Sequence, residues 1–143
     1  DTHDGIREVG KMAFYKCISL KSIDLRSVLE IGEDAFYECV SLTDVQFGNK
    51  LETIGKWAFA QCTSLQRLML PSIITVKYCA FQRCEALSSI EFSERLETIE
   101  PYAFSGCERL RRIVIPLKRD LFPIDPELQE YTQFDYCEQL TTV

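Results

Sequence analysis

Apolar residues recur along this chain at one fixed long interval, over which a shorter alternation is laid. The unit is Phe-x-x-Cys-x-x-Leu-x-x-aliphatic. It stands at Phe14/Cys17/Leu20/Ile23, Phe36/Cys39/Leu42/Val45, Phe59/Cys62/Leu65/Leu68, Phe81/Cys84/Leu87/Ile90, Phe104/Cys107/Leu110/Ile113 and Phe134/Cys137/Leu140/Val143. The Phe-to-Phe steps are 22, 23, 22, 23 and then 30 residues. Alanine precedes the Phe at Ala13, Ala35, Ala58, Ala80 and Ala103, and an aliphatic stands five residues before it at Val9, Ile31, Ile54, Val76 and Ile99. A further apolar column runs Ile6, Val28, Leu51, Ile73, Leu96. A period of 22–23 is too short for a helical hairpin and fits one turn of a coil made of short extended segments and tight bends. Each unit ends in alternation, as in Val45 and Phe47 with Asp44 and Gln46 around them, which predicts a half-buried strand. Stacked about 4.8 Å apart, such strands form a parallel sheet.

A single rung has no second layer against which to bury its Phe, Cys, Leu and Ile, so the core exists only once rungs stack. The pattern predicts one solenoid domain over 1–143. Its repeats fall near 6–27, 28–50, 51–72, 73–95, 96–115 and 126–143, with a loop insertion at 116–131. The chain opens without Met and ends on the core column at Val143, and so reads as a segment of a longer chain whose end rungs are covered by further repeats, caps or a partner.

The fuller pattern Ile-Gly-x-x-Ala-Phe-x-x-Cys-x-Ser-Leu, seen from Ile31 to Val45 and from Ile54 to Leu68, resembles the BspA-type leucine-rich repeats over most of the chain. The resemblance implies a right-handed α/β (β-rich) solenoid with a parallel sheet on its concave side, and a role in adhesion or protein binding. The last copy departs from it. Gln129 and Gln133 replace the aliphatic and the alanine and Pro126 falls on the outer aliphatic column, which predicts a distorted sixth rung.

Composition narrows the chemistry. The 143 residues are 46% hydrophobic and 27% charged, enough for one real core, and no apolar run approaches the roughly 20 residues of a membrane span. With 16 Lys plus Arg against 22 Asp plus Glu, the net charge of -6 argues against a nucleic-acid partner. One histidine, His3, excludes triads and multi-histidine metal sites. Phosphate loops and nucleophile elbows are missing too. The expectation is a non-enzyme with no metal, cofactor or small-molecule substrate. Gly10, Gly32 and Gly55 share a column with Lys77 and Glu100, so that column needs no positive φ.

Cys17, Cys39, Cys62, Cys84, Cys107 and Cys137 occupy one column, so their number follows from repetition. In-register neighbours lie near the strand spacing, outside the roughly 3.5–4.5 Å between the Cβ atoms of a disulfide, which predicts a ladder of buried structural thiols. Cys79 falls in the variable column of Met12, Asp34, Trp57 and Tyr102 and is the candidate reactive thiol, expected partly exposed. Unpaired cysteines lean towards a reducing compartment, with the cell surface as the alternative.

Two surfaces are candidates for contact with a protein partner or a larger protein complex. Outward strand positions form columns: Asp24, Gln46, Met69, Glu91, Val114, and beside them Ser22, Asp44, Arg67, Ser89, Arg112, Thr142. Apolar Met69 and Val114 with the forks of Arg67 and Arg112 favour the C-terminal half, against the plainer reading of a solvated sheet face. The connection from Pro116 to Tyr131 is seven residues longer than its equivalents and presents Leu121, Phe122, Ile124 and Tyr131, unless these fold back over the last rung. Pro126 with Glu127 predicts a short helix through Tyr131. The functional expectation is a non-catalytic interaction or scaffold module, the alternatives being a structural subunit of an assembly or a surface adhesion module.

Overall fold

The first five repeats build the coil from the same four parts: a long strand, a bend, a short strand and a run of tight turns. The computed structural model describes residues 5–140, so His3, Thr142 and Val143 lie outside the described residues. The long strands are β2 (Ser22–Leu25), β4 (Asp44–Phe47), β6 (Arg67–Leu70), β8 (Ser89–Phe92) and β10 (Arg112–Val114). The short ones are β1 (Glu8–Val9), β3 (Glu30–Ile31), β5 (Thr53–Ile54), β7 (Thr75–Val76) and β9 (Thr98–Ile99). All these pairings are parallel, and partners sit one repeat apart, as with Leu68 opposite Ile90 and Ile90 opposite Ile113.

The short strands form one continuous five-stranded sheet. The long strands do not: β2 pairs with β4, β6 with β8 and β8 with β10, and the ladder is interrupted between β4 and β6. No helix occurs among the described residues. The solenoid is therefore all-β there, and the third side, where the α part of the expected class belonged, is a stack of turns.

That turn side is hydrogen-bonded from rung to rung. Trp57, Phe59 and Gln61 donate their N–H groups to the carbonyls of Tyr78, Ala80 and Gln82, at 3.0, 2.7 and 2.7 Å. Within a rung, Ala58 N–H closes a turn on Gly55 and Cys62 N–H another on Phe59. The third residue of each turn has positive φ, the type II requirement that glycine meets at least cost. Trp57 (φ 61) and Gln61 (φ 58) hold those places, and the two columns they define contain a single glycine, Gly106 (φ 76). Gly32 and Gly55 answer a different need, because a Cβ on Gly55 would stand 2.7 Å from the Ile31 carbonyl oxygen.

The alternation of 22 and 23 residues resides in the bend after the long strand. Arg26-Ser27 and Pro71-Ser72 are two-residue bends, while Gly48-Asn49-Lys50 and Ser93-Glu94-Arg95 have three. In the shorter bends a serine hydroxyl donates to the previous rung, Ser27 to Ile6 O at 2.8 Å and Ser72 to Leu51 O at 2.7 Å.

The core is the stacked columns. Phe36, Phe59, Phe81 and Phe104 are fully buried, and the rings from Phe14 to Phe134 form one parallel pile with centroids 4.9–5.6 Å apart. Against them pack the aliphatic columns, including Ile31, Ile54, Val76 and Ile99.

Candidate functional site

The long-strand face gathers some of the expected contact residues and separates others. Arg67, Met69, Glu91 and Arg112 come together around a shallow depression of about 430 Å³ on β6, β8 and β10. Met69 is 68% exposed there, because strand alternation turns it outward while Leu68 and Leu70 go in. Val114 is only half-exposed at the end of β10. Asp24 and Gln46 lie on the other side of the interruption, on β2 and β4. Asp24 is already engaged, with its Oδ2 2.8 Å from Arg26 Nη2. Those hydrogen bonds from Arg26 bring its carboxyl down to about 2.

The long connection divides its apolar residues between core and solvent. Leu121 is 4% exposed and so does not serve as an outward contact, while half-buried Phe122 packs edge-on against Phe134 with ring centroids 5.7 Å apart. They turn inward because Phe122 stands 23 residues after Ile99, on the repeat's own step, and Leu121 O accepts the Ile99 N–H at 2.8 Å. Ile124 and Tyr131 are exposed, and so is Leu117, which sequence reasoning passed over. The surplus residues follow Phe122: twelve positions separate it from Phe134, against five from Ile99 to Phe104. The helix expected after Pro126 is a single turn. Asp125 Oδ1 accepts from Glu127 and Leu128 N–H at 2.8 and 3.0 Å, and an antiparallel bridge from Asp125 to Glu130 closes it before a second turn can form.

Gln133 repairs the junction. In earlier rungs the carbonyls of Val9, Ile31, Ile54 and Val76 accept the N–H groups of Gly32, Gly55, Lys77 and Glu100, at 2.8–3.0 Å. The residue in the donor's place opposite Ile99 is Pro123, which has no N–H. Gln133 Nε2 supplies the bond to Ile99 O at 3.1 Å and also donates to Pro123 O at 2.6 Å. With two carbonyls as neighbours the amide can face only one way. Its buried Oε1 is left without a partner.

The thiols are disposed by the same stacking. Cys39, Cys62, Cys84, Cys107 and Cys137 each donate from Sγ to the Phe carbonyl of the preceding rung, at 3.1–3.2 Å. All seven cysteines are free. Cys79 is also buried, at 1% exposure, beside the larger Tyr78 and Tyr102, so it is not the exposed reactive thiol its column suggested. Burial pushes the thiols of Cys39 up to about 11 and of Cys79 and Cys84 up to about 12. Such thiols remain protonated at pH 8 and react slowly. In the native protein at that pH, half-buried Cys17 should be alkylated first and Cys39, Cys62, Cys79, Cys84 and Cys107, whose thiols burial pushes up, roughly a hundredfold more slowly, all equalising in denaturant. Rapid labelling of Cys79 by peptide mass mapping would contradict this. Because unfolding releases these groups to ionise, the thiols' contribution to stability should be constant below about pH 9 and be lost as pH rises towards 12.

Among the described residues no group of three His, Cys, Asp or Glu side chains is placed to hold a metal ion, and no helix is long and apolar enough to cross a membrane.

The profile of the BspA type leucine rich repeat region matches residues 7–141 in six copies. The chain belongs to the BspA-type leucine-rich repeat family. Proteins of this class are generally non-enzymatic scaffolds, compatible with interaction or surface roles. No curated protein matches this BspA-type segment. Its solved likenesses include a leucine-rich repeat protein from Bacteroides ovatus, at 29% identity and TM-score 0.72 over 78% of this chain and 29% of that one. A leucine rich cell surface protein from Faecalibacterium prausnitzii is 27% identical, with TM-score 0.74 over 90% of this chain and 33% of that one. The leucine rich repeat protein of T. pallidum is 27% identical, with TM-score 0.66 over 76% of this chain and 63% of that one. The BspA-type segment thus spans less than two thirds of each of these proteins.

Proposed function

We propose that this segment is a non-catalytic protein-recognition module whose contact surface is the long-strand face over β6, β8 and β10. The observation that carries the reading is exposed Met69, set among Arg67, Arg112 and Glu91 in one depression. An apolar anchor with a charged rim is the anatomy of an interaction hot spot, and two guanidinium forks select carboxylates, so the partner offers an acidic segment. The test is affinity capture from the native source with the wild-type chain and with Arg67→Glu/Arg112→Glu. The expected result is at least a roughly tenfold loss of one defined partner at an unchanged melting temperature, as removal of two charge-assisted contacts implies. An identical set of captured proteins would sink the reading and favour an architectural subunit held by its ends.

A second reading, exposure on the cell surface as an adhesion module, draws on the likeness to the Faecalibacterium prausnitzii cell surface protein. Its check is labelling of the chain on intact source cells by a membrane-impermeant reagent.

A further inference from the structure

A strip of aromatic rings runs along the turn side, away from the long-strand face. Tyr15 stacks on Tyr37 at 5.3 Å, and from there the rings meet edge to face: Tyr37 with Trp57 at 6.3 Å, Trp57 with Tyr78 at 5.9 Å and Tyr78 with Tyr102 at 5.7 Å. Over its last three members the strip becomes one wall of an open groove of about 670 Å³. The opposite wall is Asp125, Pro126 and Glu127, from the surplus residues that follow Phe122. The other rungs lack these residues and so lack the groove.

The groove is acidic as well as aromatic. Glu100, Asp125 and Glu127 line it against one cation, Lys56, and none of the three acids is ion-paired among the described residues. Glu100 Oε1 is held in place by the Tyr78 N–H at 3.0 Å. Burial first, and then the Asp125 carboxylate, push the Tyr102 phenol up, so negative potential reaches the ring. At the far end of the strip the chain already sets a cation on such a ring, with Lys16 Nζ 5.4 Å from the Tyr15 centroid.

Aromatic faces attract cations through their quadrupoles, and guanidinium adds planar stacking to carboxylate pairing. We propose that the groove between Trp57, Tyr78 and Tyr102 and the Asp125–Glu127 turn binds arginine side chains of a basic segment in a partner protein. The long, open shape suits a polypeptide carrying such side chains better than a small isolated cation. This site and the long-strand face are on different sides of the solenoid, so either reading can fail alone.

Trp57 is the chain's single tryptophan and reports on the groove directly. The experiment titrates the protein with acetyl-Gly-Arg-Gly-Arg-Gly-amide, and with the same peptide carrying neutral, isosteric citrulline, following Trp57 emission. The arginine peptide should give a saturable change, with the citrulline midpoint about tenfold higher or more. Glu127→Gln, an exposed change, should weaken the arginine peptide severalfold, whereas Glu94→Gln on the bend after β8 should leave it unchanged. Equal midpoints for the two peptides, no saturable response at millimolar peptide, or equal effects of the two Glu→Gln changes would each overturn the proposal, the last by exposing mere attraction to an acidic chain.

Discussion

Replacing Phe59 by alanine lowers the unfolding free energy by about 4–5 kcal/mol, measured by urea denaturation, a large fraction of what a domain of this size possesses. Phe59 is fully buried and lies between two ring stacks, 4.9 Å from Phe36 and 5.3 Å from Phe81, with Phe47 edge-on at 5.9 Å. The substitution opens a cavity the neighbouring rungs cannot close, because their own rings are held by the same pile. It also removes aromatic pairings of roughly 0.5–1.5 kcal/mol each. The same change at Phe14, half-buried with one stacked neighbour, should cost about half as much or less. Equal losses at the two positions would mean that the rungs do not share a common core.

Gln133→Ala is the second large effect, and its sign runs against the repeat pattern. Alanine is the residue of that column in five other rungs, so a consensus argument expects stabilisation. The structure calls for a loss of about 2–3 kcal/mol, since Ile99 O is buried and the amide is its replacement donor. Pro123→Ala restores a backbone N–H where the register wants one. It should therefore be nearly neutral alone and recover about 1–2 kcal/mol of the Gln133→Ala loss when the two are combined. A cycle in which the two changes simply add would show that proline and glutamine do not compensate each other.

The core was legible in the sequence because every buried column repeats on the step that sets the strand register. The pairing of Ile90 with both Leu68 and Ile113 is the 22- and 23-residue spacing made physical. Gln133 was visible as an exception, but its reason was not, since that required knowing that Pro123 would fall opposite Ile99. The aromatic strip escaped notice because its members come from different columns: Tyr37 follows its Phe, Tyr78 stands three residues before Phe81, and Trp57 and Tyr102 stand two before theirs. Their adjacency depends on how side chains lean between rungs. Cys79 was misplaced for a related reason, its exposure being decided by the larger Tyr78 beside it and Tyr102 on the next rung. Nothing in the repeat explains the interruption between β4 and β6.

Left-handed backbone recurs at two places in each of the first five rungs, and Gly106 is the one glycine among those ten positions. Glycine fits such a position with least strain, whereas other L-residues give up roughly 1–2 kcal/mol each. Trp57, Cys79 and Tyr102 all stand in one of those columns, at φ of 57–61°, and all three line the acidic groove. The groove wall is thus built on three residues whose turns glycine would make at less cost, so replacing any of them by glycine would relax the backbone while removing the lining.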